Sequence, residues 1–296
     1  MEDSPIHMKK DFEPTNPLSM PFECFDYDSR RDTFPVRSHW HYFAEMILVR
    51  EGTLLVGRES ENYTVRPGEL IVIGPQIRHA LSAREGDFVA YDVIKLDLDQ
   101  LDETPAYAPN IKSIFMEAEQ THQEMCVSAA GVEEMNLSVM IRDCIRETRS
   151  KAYAYDVAIK SKMYLICVEL VRFWMKKGFN VPCHVHQSDP VFSITGYINR
   201  HIRDSLKVED LAKLCGLSYP WFAKKFREIY GISCKEYIEH VRIAKVEQYL
   251  LFTDSDLTYI SQETGYADCS HMIKDFKRLK NTTPGQYRLQ NKNLPG

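Results

Sequence analysis

The strongest constraint on this chain is a pattern that occurs twice near its C-terminus, between residues 206 and 288. Leu211 is followed five residues on by Gly216, and Ile260 five residues on by Gly265. Each glycine precedes two apolar anchors four apart, Phe222 with Phe226 and Met272 with Phe276, a spacing that puts both anchors on one face of a helix. Five residues after each second anchor stand Gly231 and Asn281, residue types that tolerate a left-handed backbone. Ser233 and Thr283 then follow as helix-cap candidates, and Tyr237 and Tyr287 after them. A short helix, a turn and a second helix, given twice, predicts a tandem helix-turn-helix.

The surrounding residues fill in that plan. An opening helix over 191–202 carries the stripe Ile194, Tyr197, Ile198 and Ile202, and 208–215 forms the first helix of unit one. Ser218 suits an N-cap and Pro220 the first turn of the next helix, which buries Phe222, Phe226 and Ile229. Its other face carries Tyr219, Trp221, Ala223, Lys224 and Arg227. A connecting helix from about 233 to 251 spans roughly 28 Å, near the ~34 Å of one DNA turn.

From about 190 to 290 the chain resembles the DNA-binding domain of AraC/XylS-type transcription regulators. The second unit carries most of the likeness, with Tyr266 after its glycine, Ser270, Phe276 and the run Thr283-Pro284-Gly285-Gln286-Tyr287-Arg288. The resemblance implies a double-stranded DNA operator, entered in its major groove by the second helix of each unit. By position in the family's motif, Tyr219, Pro220, Ala223 and Lys224 face bases in unit one, and Ser270, His271, Ile273 and Lys274 in unit two. Pro220 and Ala223 offer apolar contact, as to a thymine methyl, and Lys224 a donor for a guanine edge. Lys225, Arg227, Lys277 and Arg278 are placed toward phosphate or water. His271 stands where the family often has tyrosine.

The net charge of −5 looks wrong for such a partner until the chain is divided. Residues 1–189 hold 21 Lys and Arg against 30 Asp and Glu, whereas 190–296 hold 16 against 12. The basic excess therefore lies in the helical region, the expected footprint of phosphate contact. The 296 residues suffice for two cores, and no apolar run approaches the ~20 residues that span a bilayer. The first residues, MEDSPIHMKKDFEP, contain no apolar signal segment, and the eight cysteines form no CxxC pair. A cytoplasmic protein with free thiols is expected.

An irregular, proline-containing arm is expected over 1–20, then short strands over 21–108. Strand candidates are 45–50, 53–57, 62–65, 69–73 and 88–96, separated by Gly52, Pro67-Gly68 and Gly74-Pro75. Such punctuation predicts a small β-barrel or a double-sheet jelly roll, making the whole chain α+β and multidomain. Within it, HWHYFAEMILVREG (39–52) resembles the first cupin motif, and GELIVIGPQIRH (68–79) the second. Gly74 replaces that family's proline, Gln76 its glycine, Ala83 a frequent asparagine, and Thr33 the glycine that opens motif one. On a continuous strand His39, His41 and Glu45 share one face, and His79 joins from another strand. Three imidazoles and a carboxylate suit a divalent metal (Zn, Ni, Fe or Mn), and serve equally as polar lining for an effector. Arg37 has the same parity and is a candidate for an anionic or hydroxyl-rich effector or a surface position; Trp40 and Tyr42 have the opposite parity and suit outer-face packing.

From Ile111 the period becomes helical, with long helices over 132–149 and 156–177. The AraC resemblance implies that the segment 109–177 dimerises the protein; covering the barrel is the alternative. Residues 178–189 form a linker, in which Cys183, His184 and His186 more readily mark a solvated hinge than a metal site. The domain from 190 to 296 follows. The expected function is a ligand-responsive regulator of a sugar or other catabolic operon, with RNA polymerase as a partner if it activates. The alternatives are a metal-dependent cupin enzyme fused to DNA-binding helices, and a constitutive DNA binder that uses its barrel to dimerise.

Overall fold

A computed structural model describes residues 22–41, 43–58, 61–98, 111–121, 123–181 and 190–291. The arm 1–20, Tyr42 and the linker residues Cys183, His184 and His186 lie outside the described residues. The chain divides into two compact units, one built on Phe22–Gln187 and the other on Ser188–Gly296.

The first unit opens with eight strands: β1 (Phe22–Asp28), β2 (Val36–His39), β3 (Ala44–Glu51), β4 (Leu54–Arg58), β5 (Asn62–Val65), β6 (Leu70–Ile73), β7 (His79–Ser82) and β8 (Ala90–Leu96). Then come α1 (Ile111–Gln120), the short β9 (Cys126–Val127), α2 (Ala129–Glu134), α3 (Leu137–Ser150) and α4 (Tyr155–Lys176). The strands form two antiparallel sheets, ordered β1-β8-β3-β6-β9 and β2-β7-β4-β5. A double-sheet jelly roll is the architecture expected from the strand pattern.

The two sheets read differently in sequence because they are covered differently. β6 and β8 are buried at every position and β3 at all but its last two, as strands covered on both faces must be. Ile47, Val49, Ile71, Ile73, Tyr91 and Val93 fill the space between the sheets, and α3 packs against β1 and β8 from outside. β4, β5 and β7 bury chiefly alternate residues, since the other face of their sheet is wetter. Sequence patterning missed β1, β2, β7 and β9 as separate strands; the last three are four residues or fewer, too short to display a period.

The helix expected over 132–149 is broken into α2 and α3. Asn136 takes φ +55° at the break, a left-handed position that asparagine tolerates. α4 runs as expected and anchors on α1, where Trp174 meets Phe115 edge-on at 5.0 Å and donates its Nε1–H to the Glu124 carbonyl.

The second unit is all helical: α5 (Pro190–Arg200), α6 (Val208–Leu214), α7 (Tyr219–Tyr230), α8 (Cys234–Phe252), α9 (Leu257–Glu263), α10 (Cys269–Lys280) and α11 (Pro284–Asn291). The doubled punctuation holds at the level of backbone angles. Gly216, Gly265, Gly231 and Asn281 all have positive φ. Gly265 has a further reason to lack a side chain, since a Cβ there would lie 2.1 Å from the Ile202 carbonyl oxygen. Phe222, Phe226, Met272 and Phe276 are fully buried. The later tyrosines repeat one contact: Tyr237 meets Phe226 edge-on at 5.6 Å, and Tyr287 meets Phe276 edge-on at 5.4 Å. Ser218 occupies the N-cap of α7 but makes no side-chain cap bond, and Pro220 sits in the first turn as expected.

Candidate functional site

His39, His41, Glu45 and His79 converge, with one ligand atom from each lying within 4.8 Å of all the others, and all four are buried. They do not converge along one strand. β2 ends at His39 and β3 begins at Ala44, so the chain crosses between sheets in the middle of the motif. His39 and His79 are cross-strand partners in one sheet, while Glu45 stands in the other, beside Lys95. The continuous-strand expectation therefore reached the right cluster by a route the backbone does not take. Trp40, expected to pack on an outer face, is buried. Arg37 keeps its side chain exposed and reaches the cluster only through its carbonyl.

The loop between β6 and β7 delivers His79. Gln76 holds φ +65° at the position where the cupin motif has glycine, and its N–H donates to the His41 carbonyl at 2.7 Å. Gly74 stands where that motif has proline, and its N–H donates to Glu119 Oε2 on α1 at 3.1 Å. Proline has no such donor. Glu119 also pairs with Arg58, so α1 pins the loop to the sheet.

Three hydrogen bonds decide the chemistry of the cluster. His39 Nδ1 donates to the Arg37 carbonyl at 2.9 Å, His41 Nδ1 to the Phe43 carbonyl at 3.1 Å, and His79 Nδ1 to the Ile77 carbonyl at 2.9 Å. A carbonyl only accepts, so each Nδ1 carries a proton, and a ring in its neutral form presents an Nε2 lone pair. His41 Nε2 lies 3.1 Å and His79 Nε2 2.9 Å from Glu45 Oε2. The second contact is close but misdirected, so His79 Nε2 is a buried nitrogen without a hydrogen-bond partner. Burial holds His41 below its ordinary pKa, against the opposing pull of Glu45. Burial raises the Glu45 carboxyl, but the Lys95 ammonium, 3.7 Å away, leads the groups that hold it well below the ordinary range. Rings in that neutral tautomer would turn lone pairs toward a carboxylate in a dry site, an arrangement that a cation resolves. These four residues could hold a divalent metal once they draw in, since bonds of about 2.0–2.2 Å place ligand atoms closer together than the 4.8 Å within which these now lie. Lys95 was missed in the sequence because only the β3–β8 register puts it opposite Glu45.

In the helical unit, α7 and α10 bury one face and expose the other. Tyr219, Pro220, Lys224 and Arg227 are exposed on α7, with Ala223 and Lys225 half-buried. Ser270, His271, Lys274, Lys277 and Arg278 are exposed on α10, with Ile273 half-buried. Arg278 is tied to Glu239 at 2.7 Å and Asp275 at 3.3 Å, and the His271 ring lies 3.2 Å from the α10 cap residue Asp268. Trp221 is 63% exposed with the Lys224 ammonium 5.3 Å from its ring centre. The fifty-residue offset between Phe222 and Met272 makes Trp221 the counterpart of His271, a signal that could have found it.

Two family models match the chain: the AraC-like ligand binding domain over residues 19–166 and a helix-turn-helix domain over 211–290. The chain belongs to the AraC family of transcription regulators. It is similar to the uncharacterized HTH-type regulators YisR (18% identical, 82% of this chain and 85% of that) and YdeC (22%, 86% of each) of Bacillus subtilis. It also aligns with the crystal structure of ToxT from Vibrio cholerae at 15% identity and TM-score 0.38, covering 92% of this chain and 99% of that one. As an AraC-type regulator the chain joins a ligand-binding domain of two antiparallel sheets to DNA-binding helices. Among the described residues, no helix is long and apolar enough to cross a membrane.

Proposed function

We propose that this AraC-type chain is a cytoplasmic, homodimeric regulator of a sugar or other catabolic operon. Its sheet domain senses a hydroxyl-rich effector at a metal held by His39, His41, Glu45 and His79. The observation that carries the reading is the pair of exposed faces on α7 and α10, each mounted on fully buried aromatic or methionine anchors and joined by the nineteen-residue α8. Lys224 and Lys274 occupy equivalent places on these faces and are assigned to base edges, with Tyr219, Pro220, Ala223, Ser270, His271 and Ile273 beside them. Lys225, Arg227, Lys277 and Arg278 are assigned to phosphate. An effector shifts DNA occupancy only by binding two states of the protein unequally. As an activator, the DNA-bound protein would then recruit RNA polymerase.

The metal reading is supported by the three Nδ1 bonds to carbonyls, which leave Nε2 lone pairs converging on Glu45. Bound metal would supply Lewis acidity toward effector hydroxyl or carboxylate oxygens. Among the described residues no acid–base constellation beyond those four supports an enzyme, and we assign the cluster to sensing. Selection of bound duplexes from a random library tests the first part: failure to enrich any sequence overturns it. Elemental analysis of purified protein tests the second. About one divalent metal per chain is expected, falling on His79→Ala; less than one per several chains leaves the cluster as hydrogen-bonding lining.

A further inference from the structure

The outer face of the five-stranded sheet carries a second charged site, used neither by the DNA-reading helices nor by the histidine cluster. Ile47, Val49, Tyr91 and Val93 point between the sheets, so Asp92 of β8 points the other way, toward α3. Arg50, at a bulge in β3, meets it there with Nε 2.9 Å from Asp92 Oδ1. From the opposite wall α3 contributes Arg142, Arg146 and Arg149, whose spacings of four and three residues place them on one helix face. Together with Asp26 of β1 these side chains line a cleft of about 500 Å³.

The charges in this cleft do not balance. Four guanidinium groups face two carboxylates, although acids outnumber bases by 30 to 21 over residues 1–189 as a whole. Asp26 is drawn to Arg149 across the cleft, and to Arg31 at 3.4 Å. Asp92 is almost fully buried; its Oδ1 is spent on Arg50, and its Oδ2 has no hydrogen-bond partner. Arg146 pairs with Asp143 of its own helix at 2.8 Å. Arg142 forms no ion pair among the described residues, and its hydrogen bond runs from Nε to the Ser138 carbonyl at 3.0 Å. Guanidinium forks match the paired oxygens of carboxylate and phosphate groups, and they lose less entropy per bond than ammonium groups do. A hydroxyl on the same ligand would find an acceptor on the floor of the cleft.

We propose that this cleft binds a small hydroxylated organic polyanion, carrying carboxylate or phosphate groups, between the sheet and α3. Because Arg50 belongs to the sheet and Arg142 and Arg146 to the helix, the ligand ties the two walls together. α3 also packs against α4, so occupancy is communicated to the helix pair. This inference is independent of the metal reading.

Calorimetric titration of the full-length protein with citrate, glucose 6-phosphate and inorganic phosphate, at fixed ionic strength, tests it. Saturable binding of at least one organic probe is expected, weakened about tenfold or more in the Arg142→Gln/Arg146→Gln variant. The Lys224→Ala/Lys274→Ala variant should bind the same probe as tightly as the parent, which separates this cleft from the DNA-reading helices. Both substituted arginines are exposed, and an unchanged thermal unfolding of the first unit reports an intact fold. Binding of citrate alone assigns carboxylate recognition, and binding of the sugar phosphate alone assigns phosphate recognition. The proposal is overturned if neither organic probe binds at millimolar concentration, if inorganic phosphate alone binds, or if the double-arginine variant binds unchanged.

Discussion

At the residue scale the cluster loop shows what a departure from a motif does. Gln76 keeps the backbone angle of the glycine it replaces, at φ +65°, and its side chain is exposed. A non-glycine residue there carries strain of about 1–2 kcal/mol, partly offset because glycine loses more entropy on folding. Gln76→Gly should therefore stabilise the first unit by roughly 0.5–1 kcal/mol in urea unfolding. A destabilisation would show that the φ value is not strained. The four ligand-type residues were legible in the sequence as residue types at cupin spacing. Their geometry was not, because the chain leaves one sheet at His39 and enters the other at Ala44.

At the element scale the two helix-turn-helix units use one cap in two chemical versions. Ser233 and Glu236 form a reciprocal capping box at the start of α8, with Ser233 N–H donating to Glu236 Oε2 at 2.8 Å and Glu236 N–H to Ser233 Oγ at 3.2 Å. Thr283 and Gln286 make the equivalent pair before α11, at 3.3 Å in both directions. Ser233→Ala should cost about 1 kcal/mol, read as a shift in the thermal unfolding of the helical unit. Only the first box titrates. The side-chain and backbone donors of Ser233 hold the Glu236 carboxyl below its ordinary 4.5, so the unfolded chain takes up that proton more readily. Its contribution is complete above about pH 4.5 and is lost as pH falls through the folded value. Glu236→Gln should flatten that part of the acid-unfolding profile; an unchanged profile would assign the acid sensitivity to other carboxylates.

At the scale of the whole molecule, the two units are built alike but present different chemistry. Unit one offers Pro220 and Ala223 at its proposed base-facing positions, and unit two offers Ser270, His271 and Lys274. Lys224→Ala and Lys274→Ala are each expected to weaken specific binding by about 1–3 kcal/mol, measured on the selected operator. Base changes in the half-site read by unit two should cost more than those under unit one, and equal penalties would count against the asymmetry. The proposed dimer would draw on α4, which buries Ile159, Met163, Ile166 and Leu170 on one face and exposes Val157, Leu165 and Met175 on the other. An apolar face turned to water is a liability unless a partner covers it. Val157→Lys/Leu165→Lys should shift sedimentation toward the monomer; sedimentation like the parent's would place the dimer contact elsewhere.

The sequence by itself determined the tandem helix-turn-helix, because its signals are local. Left-handed residues, caps and anchors four apart each act within a turn or two of helix, and Gly231 and Asn281 took the left-handed backbone expected of them. Tertiary structure alone decided how the sheet domain works. Lys95 beside Glu45, Glu119 on the Gly74 amide, and the arginines of α3 over Asp92 are contacts between residues far apart in the chain. Strand register and helix docking set such contacts, and a one-residue slip of a strand would turn its side chains to the opposite face.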